Sequence, residues 1–164
     1  MIPEKVRLVL AQHGLAAIEF AEGTTPTAPM AAAALGVEVG QIVKSLLLKG
    51  KDEHFYMVLC PGDRRVTNAK LKAALGVKAR MATAEETLAV TGFRPGGVCP
   101  FGVVGVEVLV DRDLERWPTV YPAAGTDGSG VPMTPEQLES ITGARIADLS
   151  EPPTQAEARA GVLA

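Results

Sequence analysis

The chain has few of the residues from which disulfide frameworks, metal sites and aromatic cores are built. Its 164 residues include two cysteines and two histidines, and aromatic residues make up 4%. Cys60 and Cys99 form no CxxC pair, and His13 and His54 lie far apart, so the spacing indicates no zinc site. A reducing, cytoplasmic environment is therefore expected, with a core built mainly from Val, Leu, Ile and Ala.

Long hydrophobic runs and an excess of positive charge are also missing. No apolar run approaches the roughly 20 residues of a membrane span, and the first residues mix charged and apolar side chains unlike a signal peptide. The formal net charge of −3 argues against a protein that wraps a long stretch of nucleic acid. It leaves room for contact with one end of an RNA.

Predicted strands and helices alternate along the chain, which is typical of one mixed α/β domain. Thr27 and Thr67 are candidate helix caps, and Thr83 is followed by Glu86 in the spacing of a capping box. The predicted helices begin near Pro3, Thr27, Thr67, Thr83 and Pro135, and the predicted strands span residues 15–20, 42–48, 54–59, 78–81, 103–110, 119–121 and 144–149.

No internal repeat and no linker between two cores is evident. The chain length fits one domain, which we place at residues 1–150. Residues 151–164 begin with Glu-Pro-Pro and continue with small and polar residues, so a flexible tail is expected there.

Lys44 is the most informative single residue. Side chains alternate between the faces of a strand, so Lys44 shares a face with Ile42, Leu46 and Leu48. An ammonium on an apolar face must reach a cleft, an anionic partner or water. Two interpretations stay open: an edge position where the long stem reaches solvent, and a cation poised for a phosphate or a developing oxyanion.

Two glycine-rich segments and one cysteine are weaker candidates. Successive backbone N–H groups in Gly96–Gly102 can hold a carbonyl oxygen or an anion, although a plain connection is the commoner reason for such a loop. Gly125–Gly130 lacks the strand-to-helix context of a phosphate loop. Cys99 is a candidate nucleophile or a small packing residue, and a Ser-His-Asp triad would have to recruit His13 or His54.

Basic residues cluster between Gly62 and Arg80, against the single acid Asp63. A solvated helix face and a local contact with RNA phosphates both explain such a run. The cluster consists of Arg64, Arg65, Lys70, Lys72, Lys78 and Arg80.

Four blocks together resemble the YbaK / prolyl-tRNA synthetase-associated editing domain family over about residues 3–150. They are Gln41–Leu47, Pro61–Val66, Thr91-Gly92 with the Gly96–Gly102 loop, and Val110-Asp111. The resemblance implies a mixed α/β fold around a largely antiparallel, barrel-like sheet. It also implies hydrolysis of a small amino acid wrongly esterified to tRNA, usually tRNA(Pro), by a free-standing protein.

The resemblance also implies roles for individual residues. Lys44 would stabilise developing charge, and backbone amides from Gly97 to Gly102 would hold the ester carbonyl. The attacking group would be a water activated by the substrate's own hydroxyl, or the thiol of an esterified cysteine, with no metal or organic cofactor. The implied substrate-binding residues are Phe20, Thr25, Val98, Cys99, Pro100, Phe101, Ala124 and Gly125, and the implied tRNA-binding residues are Arg64, Arg65, Lys70 and Lys72.

The chain departs from the family pattern at Cys99 and at Ala123-Ala124, so the amino acid removed is left open among Cys, Ala, Ser and similar residues. The expected partners are the acceptor end of a mischarged tRNA and a prolyl-tRNA synthetase. Two other functions remain: a non-catalytic module that binds an aminoacyl group, and a thiol-dependent enzyme using Cys99.

Overall fold

The computed structural model describes residues 1–160, with side chains described through Glu157. A mixed sheet forms the centre, with strands in the order β5-β2-β3-β6-β9 and β7 beside β2. The pairs β2–β3 and β2–β5 are antiparallel, and the pairs β2–β7, β3–β6 and β6–β9 are parallel. These strands are β2 (Ile42–Gly50), β3 (Phe55–Pro61), β5 (Ala79–Met81), β6 (Glu107–Asp111), β7 (Tyr121–Pro122) and β9 (Arg145–Ala147).

Two small antiparallel sheets complete the strand inventory of the described residues. β1 (Ile18–Glu19) pairs with β8 (Ser129–Gly130), and β4 (Arg65–Val66) pairs with β10 (Ser150–Glu151). The predicted mixed α/β single-domain class is confirmed, and no closed barrel forms among the described strands.

β3 lies in the middle of the sheet and is buried on both faces. Met57 and Leu59 point into the larger core, whereas Tyr56, Val58 and Cys60 point into a second core on the other face. This near-continuous apolar run is what a strand covered on both sides requires. The same alternation in β2 sends Val43 and Leu47 to the larger core, and Lys44 has the parity of Leu46 and Leu48, which contact the second core.

The helices are α1 (Glu4–Gln12), α2 (Ala28–Leu35), α3 (Asn68–Leu75), α4 (Ala84–Thr91), α5 (Pro135–Thr142) and α6 (Gln155–Ala160). Three predicted caps are confirmed, because the hydroxyls of Thr27, Thr67 and Thr83 accept backbone N–H groups of the first turn. Thr83 and Glu86 form the predicted capping box, which satisfies two backbone donors that the helix itself cannot.

Several strands are shorter than the sequence predicts, among them the one expected at 144–149, which is reduced to Arg145–Ala147. The strand expected at 103–110 begins at Glu107, since Gly102 and Gly105 have φ of +73° and +74° and turn the chain before it. The strand expected at 15–20 is reduced to Ile18–Glu19. The prediction that residues 151–164 are flexible stays a prediction: residues 155–160 form α6, and residues 161–164 lie outside the described residues.

One edge of β2 is interrupted between its two neighbours on that side. β7 pairs with Ile42 and Val43, and β5 pairs with residues 48–50. The Ala82 N–H closes the β5 end by donating to the Leu47 carbonyl at 2.9 Å. Among the described strands none pairs with residues 44–46 along this edge, so β2 opens there onto a hollow.

Candidate active site

A cavity of about 330 Å³ lies at this interruption in β2. Lys44, Ser45 and Leu46 line it from the strand. The opposite walls come from α2, α4, the segment after α4 and the segment after β7, and they include Ala28, Ala31, Thr87, Gly96, Val98 and Ala123. These side chains are small, but larger apolar residues such as Leu35, Met81 and Tyr121 also line the cavity, so its walls are mostly apolar.

Thr25 and Ser129 are two of the polar residues of the cavity wall, and both are buried. The Thr25 hydroxyl accepts the Ser129 N–H at 3.1 Å, and the Thr25 N–H donates to the Asp127 carbonyl at 2.7 Å. The Ser129 hydroxyl accepts the Ala124 N–H at 3.0 Å. These hydrogen bonds join the loop around Thr25 to the 124–129 turn and restrain the conformation of that wall.

Lys44 is half-buried and lines the cavity. Its Nζ donates to the Arg64 carbonyl at 3.4 Å, and its own carbonyl accepts the Cys60 thiol at 3.8 Å. Glu157 of α6 is close enough for the Lys44 charge to help lower the pKa of that carboxyl, although the Thr154 cap has the larger effect. Lys44 and the neighbouring Ser45 both line the cavity, although their side chains leave β2 on opposite faces.

Ser45 was not predicted from the sequence, although it is adjacent to Lys44. Its Oγ is buried and makes no hydrogen bond with any described residue. The alanines of α2 and Thr87 of α4 were also not predicted as site residues. A helix rich in alanine beside a strand offers a weak sequence signal for a cavity, because small side chains leave space.

The glycine-rich loop meets the cavity at different residues from those predicted. Gly96 and Val98 line it, whereas Gly97 does not. The Gly97 N–H already donates to the Arg94 carbonyl at 3.1 Å, and a Cβ at Gly97 would lie 2.8 Å from the Thr126 backbone. Gly102 packs against the Lys5 side chain instead of lining the cavity. Gly96 and Val98 are thus the residues of this loop that reach the cavity, and a carbonyl site formed by Gly97–Gly102 stays a prediction.

Cys99 and Phe101 are buried in the larger core, and Pro100 between them is also buried. None of the three lines the cavity. Burial raises the pKa of the Cys99 thiol to about 12, even though the Phe101 N–H and Lys5 oppose the shift. A thiol held protonated in a core is a poor nucleophile, so the thiol-dependent alternative loses its physical basis.

Of the remaining predicted substrate-binding residues, some line the cavity and others do not. Thr25 lines the cavity, but Phe20 and Ala124 do not. The Phe20 N–H donates to the Gly128 carbonyl at 2.7 Å, and Ala124 is buried in the larger core while its neighbour Ala123 reaches the cavity. Gly125 lines a separate hollow of about 350 Å³ together with Gly97, Arg94 and Asp127.

The predicted tRNA-binding residues are mostly engaged with acidic or carbonyl groups of the protein. Arg65 forms ion pairs with Glu151 at 3.6 Å and Glu157 at 3.4 Å, and Lys70 pairs with Asp148 at 3.0 Å. Arg64 turns its guanidinium towards Ser150, to which it donates at 2.8 and 2.9 Å. Lys72 is exposed on α3. The basic run is therefore largely neutralised locally, which agrees with the overall charge of −3.

No set of three His, Cys, Asp or Glu side chains within the described part of the chain is placed to hold a metal ion. The described helices are all too short or too polar to cross a membrane.

Known proteins are similar to this chain in sequence and in fold. The model of the aminoacyl-tRNA editing domain family matches residues 22–141. YwhH of Bacillus subtilis is 36% identical over 126 residues, which are 76% of this chain and 80% of that protein. EbsC of Enterococcus faecalis, named "Putative Cys-tRNA(Pro)/Cys-tRNA(Cys) deacylase", is 26% identical over 76% of this chain and 77% of its own.

A solved structure described as "a putative trans-editing enzyme for prolyl tRNA synthetase" superimposes with a TM-score of 0.83. It is 37% identical, and the match covers 92% of this chain and 99% of that one. The proline–tRNA ligase of Thermotoga maritima is 50% identical over 81 residues, which are 49% of this chain and 14% of the ligase. The matched segment and the shared fold together show that this chain belongs to the aminoacyl-tRNA editing domain family.

Proposed function

We propose that this protein is a trans-acting deacylase that hydrolyses the ester between a small amino acid and the 3′ end of tRNA, with mischarged tRNA(Pro) as substrate. The observation that carries the proposal is that Lys44 lines a cavity of about 330 Å³ whose walls are mostly apolar. Family membership supplies the reaction class, and the dimensions and polarity of the cavity support a short side chain such as that of Ala, Cys or Ser.

An aminoacyl ester is already activated, so positioning and charge stabilisation supply much of the catalysis. The oxygen of a water molecule bonds to the ester carbon, and the bond from that carbon to the ribose oxygen breaks. The proton lost by the water ends on the ribose oxygen, and free amino acid and tRNA result. In this scheme the Lys44 ammonium stabilises the negative charge of the tetrahedral intermediate, while Gly96 and Val98 offer backbone to the substrate.

The prolyl-tRNA preference is supported by the relatives alone. The proline–tRNA ligase of Thermotoga maritima contains a segment similar to half of this chain, and the solved neighbour is described in terms of prolyl-tRNA synthetase. Phosphates of the acceptor stem would meet the basic segment around α3, where Arg65 and Lys72 are exposed. A prolyl-tRNA synthetase as partner belongs to the same proposal.

A deacylation screen with Cys-, Ala- and Ser-charged tRNA(Pro) tests this function, with Pro-tRNA(Pro) as the negative control. The wild-type protein is expected to release at least one of the three amino acids with multiple turnovers and to leave Pro-tRNA(Pro) intact. Stoichiometric binding without turnover under excess substrate would favour the non-catalytic binding module instead.

Lys44→Ala is the matching variant, because it removes the ammonium and keeps the strand. The rate constant is expected to fall by about 10²–10³, the usual effect of removing one group that stabilises an oxyanion. Lys49→Ala is the control on the same strand, since Lys49 pairs with Glu53 at 3.0 Å away from the cavity lining. Wild-type rates in Lys44→Ala, with an unchanged circular dichroism spectrum, would remove Lys44 from the mechanism.

A further inference from the structure

A chain of hydrogen bonds runs from a buried carboxylate to the carbonyl that holds Lys44. The Ser150 hydroxyl donates to Asp111 Oδ2 and accepts from Arg64 Nε at 2.8 Å. A second guanidinium nitrogen, Nη2 of Arg64, donates to the Ser150 carbonyl at 2.9 Å. The backbone carbonyl of the same Arg64 accepts from Lys44 Nζ at 3.4 Å.

This hydrogen-bond network joins three elements that are distant in sequence. Asp111 ends β6, Ser150 begins β10, and Arg64 lies in the turn between β3 and β4, where its N–H donates to the Pro61 carbonyl at 3.2 Å. Asp111 and Ser150 are at most 1% exposed, so the anchor of the chain is in the protein interior. A buried anchor of this kind favours one geometry, because breaking the Asp111–Ser150 bond would leave polar groups without water.

Arg64 has the features of an internal structural residue and not of a solvent-exposed cation. Its side chain is 21% exposed, against 44% for the adjacent Arg65, and Asp113 lies 3.5 Å from its Nε. A planar guanidinium that donates two hydrogen bonds to one residue restrains the backbone of the arginine as well as the position of its charge. The Arg64 carbonyl, which accepts the hydrogen bond from the Lys44 ammonium, is thereby held in a fixed position.

We propose that Arg64 is a positioning residue, which places the Lys44 ammonium at the cavity by fixing the backbone carbonyl that the ammonium contacts. The proposal rests on the proposed deacylase function, and it replaces the expectation that Arg64 contacts tRNA phosphates. Arg64 acts through Lys44 and touches no reacting atom. The anchor of the arrangement is the Asp111–Ser150 pair.

Arg64→Ala and Arg64→Lys separate the two roles by steady-state kinetics. A positioning role predicts that kcat falls by about tenfold to a hundredfold in both variants, since a small misplacement of a catalytic group has effects of that size. The KM for tRNA and its dependence on salt stay as in the wild type. Lysine does not rescue, because a point charge cannot reproduce the two-pronged contact with Ser150.

A phosphate contact predicts the opposite pattern, and finding it would overturn the proposal. In that case Arg64→Ala raises KM and makes its salt dependence shallower, and Arg64→Lys restores much of the wild-type behaviour. Unchanged kcat in both variants would overturn it equally. Arg145→Ala is the control, since Arg145 also donates to a backbone carbonyl, that of Ala74 at 2.8 Å, outside the site.

A readout independent of turnover distinguishes failure of this inference from failure of the proposed function. In protein labelled with ¹⁵N-lysine, the Lys44 ammonium signal is assigned with Lys44→Arg. In Arg64→Ala it is expected to move towards the shift of a solvated lysine, while the signal of Lys49, which pairs with Glu53 outside this network, shows whether the fold is kept. A Lys44 signal that stays in place in the folded variant would refute the positioning role even if the wild type shows no deacylase activity.

Discussion

At the scale of single residues, the two cysteines show how burial governs chemistry. Burial raises the pKa of Cys60 to about 12, with Lys44 opposing and Asp111 adding to the shift, and it raises the pKa of Cys99 to about 12 as well. Both side chains are fully enclosed. The sequence could place neither residue, because a cysteine in a loop and a cysteine in a core look the same in one dimension.

We therefore expect both thiols to be unreactive in the folded protein. At pH 8 a thiol with a pKa near 12 is almost wholly protonated, and only the thiolate reacts with Ellman's reagent. Titration of the native protein should show slow or no reaction, and two equivalents should react after unfolding in guanidinium chloride. Deacylation by Cys99→Ala should match the wild type within about twofold, provided its thermal midpoint is high enough for the assay. Rapid labelling of a native thiol would contradict the buried positions.

The raised thiol pKa values also set the direction of an alkaline effect. The folded state keeps the thiol protons that the unfolded chain releases above its ordinary pKa of 9.0. Since the unfolded state then binds fewer protons, stability falls as pH rises above about 9. Cys99→Ala removes one of these groups, so its loss of stability between pH 8 and pH 10 should be smaller than that of the wild type.

At the scale of elements, helix α4 matters because it carries Thr87 into the cavity wall. Its first turn is held by Glu86, which accepts from the Thr83 N–H at 2.9 Å and from the two terminal nitrogens of Arg80 at 2.8 and 3.0 Å. The Arg80 contact and the Thr83 N–H together lower the pKa of Glu86 to about 2. The carboxylate thus ties α4 to β5, the strand that ends one side of the interruption in β2.

This pairing predicts a pH-dependent effect of Glu86→Gln. A carboxyl whose pKa is lowered on folding contributes stability that is complete above its ordinary value of 4.5 and is lost as pH falls towards about 2. The variant should therefore melt below the wild type at pH 7, and the two melting temperatures should converge near pH 2. Glu85→Gln is the control in the same turn, and a difference that persists unchanged at pH 2 would show that the charge is not responsible.

At the scale of the whole molecule, one sheet separates two cores and joins the cavity to both. β6 lies between β3 and β9, and it sends Val110 to the larger core and Leu109 to the second. Side chains this completely buried contribute through both lost contact with water and close packing. Because the sheet strands share these cores, we expect the domain to unfold as one unit.

Leu109→Ala tests this coupling. The substitution should lower the free energy of unfolding by about 2–5 kcal/mol, the range for a buried leucine truncated to alanine. Leu8→Ala, at a leucine that is 56% exposed, should change it by no more than about 0.5 kcal/mol. Urea titrations followed by circular dichroism and by tryptophan fluorescence should give coincident transitions, and separate midpoints would show that the two cores unfold independently.

Local sequence signals predicted most of the helices and strands, and they singled out Lys44 as the residue that breaks the apolar pattern. Capping threonines, terminal glycines and alternating apolar residues are local signals, so Thr27, Thr67 and Thr83 were predicted at the right positions. Lys44 was conspicuous because an ammonium among apolar side chains has few physical explanations. The motif blocks around it also indicated the family, which the family model confirms.

Which residues share the cavity with Lys44 depends on contacts between segments that are distant in the sequence. Ser45 and Gly96 line it and Gly97 does not, because the interruption between β5 and β7 sets which part of each neighbouring segment can reach the strand. Likewise, Arg64 belongs to an internal network through Ser150, 86 positions away in the chain. Hydrogen bonds between residues this far apart depend on how the strands meet in space. They cannot be read from the periodicity of the sequence.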